Sequence, residues 1–383
     1  MHFAFLFPRF KLLSGAERLI LKLAGSLIDR GIRISILCHQ FDDSCLPILP
    51  KNAELRQTGK KLDFFSNRYA NAALDYFRTS SLTEFVSSEM NAVCCFGPGL
   101  TAAPLIRAKN IPALYFCYEP PRFLYVDREM IQNRLGVFRI LSGPIFDEYR
   151  KRDQTLVGGV DAILSNSEFG RKQIQDFYHR DAVVITHGLD GFQVGTRKAE
   201  IRAMLGLKDS DIVVTSVNYL HPRKRLDLFI QTVQRARQSY DAIYGLIVGG
   251  GPEEQHLRRI AGEAIRFAGF VPESALYEYY QSADIYLHTS RLETFGLSVI
   301  EASGNKLPVV SVNEGGPMET ILEHQTGYLR TATAESLAEP LIQLAQNKEL
   351  RERLGAGGFE YVRSKYTWTQ AADDFLRSYN RNN

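Results

Sequence analysis

The chain has 383 residues and a net charge of +3, and this length corresponds to two ordinary domains and excludes a single small one. With 45% hydrophobic and 23% charged residues, its composition excludes a largely disordered chain. The excess of Lys and Arg is scattered over the first 200 residues, which excludes the concentrated basic stripe typical of a nucleic-acid-binding protein.

Strands and helices alternate through the first half of the chain. The opening HFAFLF predicts a buried strand, and a helix with one apolar face follows from Gly15 to Gly31. Further strands are predicted at RISILC, AVCCF, PALYFCY, DAILSNS and AVVITH. Short links between strands and helices build a parallel sheet that is covered on both faces. We therefore predict a first Rossmann-like domain over residues 1–192.

The same alternation begins again in the second half. Strands are predicted at IVVTSVN, YGLIVGG, IRFAGF, IYLHTS and PVVSV, with helices between them. This pattern predicts a second Rossmann-like domain over residues 193–365, followed by an amphipathic C-terminal helix over 366–383 that packs back on the first domain. The predicted fold class is α/β, with two doubly wound domains facing a central cleft. Ligands of such sheets bind at the carboxyl ends of the strands.

The segment RLETFGLSVIEASG carries the strongest chemical signal. Glu293 precedes a helix that is opened by Phe295, Gly296 and Leu297, and Glu301 lies about a turn and a half inside that helix. A helix that begins at a glycine presents backbone N–H groups and a positive dipole end, which suit a diphosphate. A carboxylate inside the helix can accept hydrogen bonds from a ribose diol, and one just before it can accept them from sugar hydroxyls.

Two adjacent cations follow the first strand of the second domain. Arg223 and Lys224 stand in the segment VNYLHPRKRL. Positive charge at this strand end can neutralise a leaving diphosphate as the glycosidic bond breaks. The alternative is that Lys224 alone serves this purpose and that Arg223 and Arg225 are surface charges.

Glu293 and Glu301, with Phe-Gly-Leu between them, resemble the E-x7-E motif of retaining GT-B glycosyltransferases of family 4. The likeness extends along the chain through SGAERLI, NSEF, VITHGLD, LIVGGGP, FAGFVP and NEGGPMETI. Within this group the Alg2-like mannosyltransferases are among the nearest in pattern. The resemblance implies the GT-B fold, with the acceptor bound by the first domain and a nucleotide diphosphate sugar bound by the second. It also implies that no cofactor and no metal are required.

The resemblance assigns roles to further residues. Gly15 matches a glycine whose backbone approaches the diphosphate, although a plain turn glycine is the alternative. Lys224 matches the family's lysine, but Asn218 and Tyr219 stand where Gly-Arg is usual. Gly249 borders the expected nucleotide site. Backbone groups near Phe270 and Val271 are expected to read the base.

Tyr118 stands where many relatives have a histidine close to the reacting sugar. Its hydroxyl can bind a sugar, but a phenol with an ordinary pKa of ~10 is a poor base at neutral pH. Retaining members of the family are thought to need no strong protein base, because the departing phosphate accepts the acceptor's proton. Glu119 and Arg122 are candidate acceptor contacts, or structural residues beside the Pro120–Pro121 pair.

The substrates are predicted in order of preference. Likeness to mannosyltransferases favours GDP-mannose as donor, with a UDP-hexose as the alternative. Basic and aromatic segments, including those at 60–65 and 123–125, favour a glycan or lipid-linked acceptor in envelope polysaccharide synthesis. A non-catalytic nucleotide-sugar-binding protein is a second alternative. A nicotinamide-dependent oxidoreductase is disfavoured because VGGGP lacks the G-x-G-x-x-G fingerprint.

Cellular location and metal binding are expected from what the sequence contains. No apolar run reaches the ~20 residues that span a bilayer, and the first residues do not resemble a signal peptide. We expect a cytoplasmic protein that contacts the inner membrane surface peripherally or not at all. Five cysteines and eight histidines show no metal-ligand spacing, and the Asp209–Asp211 pair is interpreted as a turn cap. The cysteines are expected to be reduced and buried.

Overall fold

The computed structural model describes residues 1–11, 15–59, 78–128, 139–190 and 197–381. The chain divides into two compact units, one formed by Met1–Gly188 with Trp368–Asn383 and the other by Leu189–Thr367. The basic aromatic segment at 60–65 lies outside the described residues. Within the described ranges, no helix combines the length and the apolar character needed to cross a membrane.

The first unit is built on a seven-stranded sheet in the order β5-β3-β1-β6-β7-β8-β9, in which every neighbouring pair is parallel. Its strands are β1 (His2–Leu6), β3 (Arg33–Cys38), β5 (Glu54–Gln57), β6 (Ala92–Phe96), β7 (Ala113–Cys117), β8 (Ala162–Ser165) and β9 (Val183–Val184), and a separate short pair is formed by β2 (Arg9–Phe10) and β4 (Gln40–Phe41). The central strands are buried at every position, as continuous apolar runs predict for a sheet covered on both faces.

The second unit has a six-stranded parallel sheet in the order β12-β11-β10-β13-β14-β15. Its strands are β10 (Ile212–Val217), β11 (Ile243–Val248), β12 (Ile265–Gly269), β13 (Ile285–His288), β14 (Val309–Val312) and β15 (Gly327–Arg330). The strand order reverses between β10 and β13. The helices that follow these two strands therefore lie on opposite faces of the sheet, and the carboxyl ends of β10 and β13 mark the point where ligands of such sheets bind.

The helices of the described ranges follow the strands in alternation. They are α1 (Gly15–Ile28), α2 (Ala103–Arg107), α3 (Arg139–Gly158), α4 (Glu168–Tyr178), α5 (Lys198–Met204), α6 (Leu226–Arg237), α7 (Glu254–Ile260), α8 (Glu273–Ser282), α9 (Leu297–Gly304), α10 (Pro317–Thr320), α11 (Ala334–Gln346), α12 (Lys348–Lys365) and α13 (Trp368–Asn380). Helix α10 has only 4 residues. Ile321 is extended, and the Leu322 amide donates to the Thr326 hydroxyl, so that the chain turns there instead of continuing the helix.

The C-terminal helix α13 completes the core of the first unit. Ala371, Ala372 and Phe375 are buried among the side chains of β1 and α1, and the ring of Phe375 packs edge-on against Phe3 and Phe5. Its start is fixed by the Ser26 hydroxyl, which donates to the Trp368 carbonyl at 3.0 Å. The apolar face of the amphipathic helix α13 therefore packs against the first sheet as part of its hydrophobic core.

Candidate functional site

Two loops meet at the point where the order of the second sheet reverses. One follows β10 and carries Arg223 and Lys224, and the other follows β13 and carries Glu293. The Thr289 hydroxyl donates to the Lys224 carbonyl at 2.8 Å, and the Arg291 amide donates to the Arg223 carbonyl at 3.0 Å. These bonds hold the two loops together, so residues that the sequence separates by about seventy positions become neighbours.

Lys224 and Glu293 form an ion pair, with 2.8 Å between Nζ and Oε2. The two side chains are 24% and 22% exposed, so water screens the attraction between their charges only partly. Burial alone raises the pKa of the Glu293 carboxyl, but the nearby Lys224 ammonium and His288 outweigh it and lower that pKa to about 2. Glu293 is therefore an ionised acceptor at neutral pH, and Lys224 balances its charge.

Helix α9 begins as the sequence predicts, immediately after Gly296. Gly296 is its N-cap residue with φ +87°, and no side chain caps the helix. A Cβ at Gly296 would lie 2.9 Å from Cγ of Pro317, so both the backbone conformation and the space require glycine. The first-turn amides of a helix have no partner within the helix. In α9 the Val299 amide already donates to the Gly296 carbonyl at 2.9 Å, so the amides that precede it in the first turn are the ones suited to an anionic ligand.

The loop after β14 supports the backbone in front of α9. The Gly316 amide donates to the Glu293 carbonyl at 2.7 Å. A Cβ at Gly316 would lie 1.9 Å from the Thr294 carbonyl oxygen, and one at Gly315 would lie 2.5 Å from that of Glu293. The two glycines therefore permit a backbone-to-backbone contact that fixes the course of the Glu293–Gly296 segment.

Glu301 lies on α9 and is oriented by a buried tyrosine. The hydroxyl of Tyr280, on α8, donates to Oε2 of Glu301 at 2.8 Å, and only 1% of Tyr280 is exposed. Phe295, also buried, packs edge-on against Tyr366. The sequence contains no signal for Tyr280, because a tyrosine on the apolar face of a helix has the pattern of an ordinary core residue.

The predicted base-side residues lie on three neighbouring loops. Gly249 has φ +131°, and a Cβ there would lie 1.8 Å from the Asn218 carbonyl oxygen. The Asn218 side chain is buried and donates to the Ser216 hydroxyl. The Gly249 amide bonds the Gly269 carbonyl, which places the next residue, Phe270, beside this glycine loop. Phe270 is 80% exposed and Val271 is half-buried.

The remaining residues of the cation segment point in different directions. Arg225 has φ +49°, and its guanidinium contacts Glu314 at 3.5 Å and donates to the Ala332 carbonyl. Its positive charge is therefore paired inside the second unit. Arg223 is exposed in the middle of the short helical turn Pro222–Lys224. Tyr219, which stands where arginine is usual, is 55% exposed and stacks on His221. Lys224 and Arg223 thus remain the candidate cations, and Arg225 has a structural contact.

In the first unit, the structure brings Tyr118 to the start of α1. The Tyr118 hydroxyl donates to the carbonyl of Ala16, which follows Gly15, at 3.1 Å. Burial, followed by the nearby Glu17 charge, raises the pKa of Tyr118 well above its ordinary value. The phenol is therefore neutral, and its proton is engaged by the backbone rather than available for exchange with a substrate.

Glu119, Arg122 and Asp127 form a compact charged group after β7. The Arg122 guanidinium donates to Glu119 at 2.8 Å and to Asp127 at 2.8 Å. These contacts give both candidate acceptor residues a structural partner, and contact with an acceptor stays a prediction.

Two further sequence interpretations concern metal binding. In the ranges that the structure describes, no group of three or more His, Cys, Asp or Glu side chains is placed to hold a metal. Asp211 accepts from the Lys208 amide at 2.8 Å, as expected of a turn cap. All five cysteines are reduced and buried, as the sequence predicts.

Comparison with known proteins connects this geometry to a family. Residues 197–361 match the family described as "Glycosyl transferases group 1". Nearly all of the second unit, including both loops of the candidate site and the whole of α9, falls inside the match.

Several curated relatives are mannosyltransferases. A phosphatidyl-myo-inositol mannosyltransferase of Mycobacterium leprae is 34% identical over 166 residues, which cover 42% of this chain and 44% of that protein. The human alpha-1,3/1,6-mannosyltransferase ALG2 is 24% identical over 387 residues, which cover 92% of this chain and 89% of that protein. The chain spans about half the length of the mycobacterial relatives that it matches.

Solved structures resemble the chain over its full length. Anabaena Alr3699/HepE, in complex with UDP and glucose, has a TM-score of 0.73 at 17% identity and covers 100% of both chains. WaaG, a glycosyltransferase involved in lipopolysaccharide biosynthesis, has a TM-score of 0.72 at 17% identity, with 98% and 99% coverage. These likenesses confirm the predicted GT-B fold class and the resemblance to GT-B glycosyltransferases.

Proposed function

We propose that this protein is a retaining glycosyltransferase that moves a hexose from a nucleotide diphosphate sugar to a glycan or lipid-linked glycan. One observation carries the proposal. Near the reversal point of the second sheet, the glycine-capped start of α9 follows Glu293, which pairs with Lys224, and precedes Glu301, whose carboxylate accepts from Tyr280. A helix start suited to an anion, flanked along the chain by two acceptors for hydroxyl groups, supports the proposal because a nucleotide diphosphate sugar carries its diphosphate between the ribose and the sugar.

Each group has a distinct role in the proposal. The α9 amides and Lys224, with Arg223, bind the diphosphate, and Glu301 accepts hydrogen bonds from the ribose. Glu293, ionised because of its surroundings, accepts hydrogen bonds from hydroxyls of the transferred sugar. To bind the diphosphate, the Lys224 ammonium gives up part of its hydrogen bonding to Glu293.

The reaction breaks the bond between the sugar's anomeric carbon and the diphosphate oxygen. The bonding electrons leave with the diphosphate, and the fixed positive groups stabilise the charge that develops there. The acceptor hydroxyl attacks the same face of the sugar, and its proton passes to an oxygen of the departing phosphate. The neutral Tyr118 phenol, hydrogen-bonded to Ala16, does not act as the base in this sequence of steps.

Mannose is the preferred sugar. The curated relatives include proteins named as GDP-mannose-dependent mannosyltransferases, at 30% identity over 196 residues. A UDP-hexose is the competing donor, supported by the fold likeness to HepE in complex with UDP-glucose, at 17% identity. The proposal also includes a cytoplasmic location, with or without peripheral contact to the inner membrane face, and a reaction without metal or other cofactor.

A donor panel analysed by mass spectrometry tests the proposal. GDP-mannose, GDP-glucose, UDP-glucose and UDP-galactose are each incubated with the protein, with and without EDTA, and release of free nucleotide and hexose is measured. The proposal is supported if one donor is turned over in the presence of EDTA as well as in its absence, and if the sugar keeps its anomeric configuration in the product. Binding of GDP or UDP, seen as a raised melting temperature, with no turnover of any donor or added glycan acceptor indicates a non-catalytic nucleotide-sugar-binding protein. Stabilisation by NAD alone would overturn both.

A further inference from the structure

His288 is a buried histidine whose ring has no hydrogen-bond partner in the part of the chain that the structure describes. It is the last residue of β13, and its side chain is 0% exposed. Among the described residues, neither ring nitrogen makes a hydrogen bond. Buried polar atoms in folded proteins are usually paired, and each exception calls for an explanation. Oε2 of Glu293 lies 3.5 Å from Nε2.

The ring is neutral and faces two charged groups. Burial, partly opposed by Glu293 and reinforced by Lys224, lowers the pKa of His288 to about 4. A neutral imidazole carries one N–H, and which nitrogen holds it is decided by the acceptor that it meets. Glu293 is the anionic acceptor within reach of the ring. The ring of Tyr286 stacks on the imidazole, with 6.4 Å between the two ring centroids.

Lys224 is the close cation of Glu293, and His288 and the Ser290 hydroxyl also lower the pKa of its carboxyl. Lys224 lies 2.8 Å from the oxygen that also faces His288. In the proposed reaction, that same ammonium is needed at the diphosphate. Its movement leaves Glu293 ionised and partly buried with weaker compensation, which is unfavourable unless another donor replaces it. The Nε2–H of His288 reaches normal hydrogen-bond distance by a shift of about 0.6 Å.

We propose that His288 is a positioning residue that donates its Nε2–H to Glu293 when a bound diphosphate draws Lys224 away. Glu293 thereby keeps its ionised form and its aim at the sugar hydroxyls. His288 touches neither the nucleotide nor the sugar in this arrangement, and it acts through Glu293. The inference rests on the proposed function, because it requires a diphosphate at Lys224.

Binding measurements on paired ligands test this role. Calorimetry is carried out with GDP, GDP-mannose, UDP and UDP-glucose on the wild type, His288→Phe and His288→Gln. Phe keeps a planar ring without a donor, whereas the Gln amide places an N–H close to the position of Nε2. For the nucleotide that binds, we expect His288→Phe to keep its affinity for the diphosphate within about twofold and to weaken binding of the sugar nucleotide by about tenfold. His288→Gln should recover most of that loss.

The pH dependence separates positioning from packing. Loss of a donor raises the pKa of Glu293 in the complex, so the acid limb of sugar-nucleotide binding should move to higher pH in His288→Phe and back in His288→Gln. A matched control is His324, whose Nε2 lies 3.6 Å from Oε1 of Glu323 on a separate loop. His324→Asn, a residue that tolerates the local φ of 64°, should leave both affinities and the acid limb unchanged.

The outcomes distinguish this inference from the function on which it rests. If the wild type binds no nucleotide and no sugar nucleotide, the proposed function fails and His288 loses its role with it. If the wild type binds both, and His288→Phe binds the sugar nucleotide as tightly as the wild type does, the His288 proposal is overturned while the proposed function stands. Should His288→Phe not fold, long-range ¹H–¹⁵N spectra of the wild type decide: the Nε2–H signal must appear or move downfield on binding of the diphosphate, and an unchanged ring rejects the proposal.

Discussion

The hydroxyl of Tyr280 donates a 2.8 Å hydrogen bond to Oε2 of Glu301. Tyr280 lies on α8, and Glu301 lies on α9, so the bond joins two helices on the same side of the second sheet. Since Tyr280 is 1% exposed, its ring is held by packing, and the direction of the Glu301 carboxylate is set before the proposed ligand binds. Preorganisation of this kind lowers the entropy lost on binding.

Tyr280→Phe should therefore weaken nucleotide diphosphate binding by about fivefold to tenfold, because the carboxylate loses one charge-assisted hydrogen bond and its fixed direction. Calorimetry with GDP and UDP measures the change. Tyr178→Phe is the matched control: the Tyr178 hydroxyl also donates to a carboxylate, that of Asp153 at 2.8 Å, but it does so in the first unit. The control should lose a similar amount of stability and no affinity. Equal losses of affinity in both variants would contradict a specific role for Tyr280.

Replacing the charged groups of the site should abolish most of the transfer. We expect Glu301→Ala and Lys224→Ala each to lower the rate by about a hundredfold or more, since each removes a preorganised charged group. Steady-state rates with the donor found in the panel give the comparison. Glu314→Ala removes a carboxylate that pairs with Arg225 at 3.5 Å, and it should retain a near-normal rate. Near-normal rates for both Glu301→Ala and Lys224→Ala would reject the assigned roles.

Gly296→Ala should impair both stability and diphosphate binding. The variant has to accept φ +87° and a Cβ 2.9 Å from Pro317, so the start of α9 shifts. Gly206→Ala is the control, because Gly206 has φ +67° and nothing within 4 Å of its Cβ position. Both variants should lose about 1 kcal/mol through backbone strain, measured by urea unfolding. Only Gly296→Ala should lose affinity for GDP or UDP, and an unchanged affinity would show that α9 does not bind the diphosphate.

Asp153 makes the stability of the first unit dependent on pH. It lies on α3, is 3% exposed and accepts hydrogen bonds from Tyr125 at 2.9 Å and Tyr178 at 2.8 Å. Burial raises its pKa, and the two hydrogen bonds oppose this only in part. Between the unfolded pKa of ~3.9 and the raised folded value, the folded state holds more protons than the unfolded state. Its contribution to the free energy of unfolding is therefore greatest below the unfolded pKa and falls as pH rises through the folded pKa.

Asp153→Asn removes this titration. The free energy of unfolding of the wild type minus that of the variant should decrease as pH rises from about 4. This difference should become constant above the pKa of Asp153 in the folded state. The single tryptophan, Trp368, belongs to the first unit, and its fluorescence follows unfolding of that unit. A difference that is constant from pH 3.5 to pH 7, or that grows with pH, would contradict the raised pKa of Asp153.

The alternation of strands and helices was sufficient to predict both parallel sheets, because buried parallel strands appear as continuous apolar runs. The order of the strands was not predictable in the same way, since it depends on which loops cross the sheet. Glu293, Gly296 and Glu301 were recognisable because the two carboxylates, with Phe-Gly-Leu between them at a predicted strand-to-helix junction, resemble the E-x7-E motif. The ion pair between Lys224 and Glu293 links two separate segments, so neither segment alone indicates it.

The sequence alone did not predict a role for Tyr280 or for His288, and the physical reason is the same for both. Tyr280 occupies an apolar helix face and His288 ends an apolar strand, and buried aromatic rings at such positions ordinarily only fill space. Their significance comes from the direction of one hydroxyl and of one ring nitrogen toward a carboxylate. Such directions depend on side-chain geometry across neighbouring elements, about which residue type and periodicity carry no information.

The contact between Ser26 and Trp368 joins positions 342 residues apart. On a ribosome, the strands of the first unit are synthesised long before α13, so the apolar face that receives Phe375 stays uncovered while the next 179 residues, Leu189–Thr367, are translated. The second unit is continuous in the chain and can close its core earlier. The order of maturation is then opposite to the order of synthesis: the portion that is made first becomes complete last.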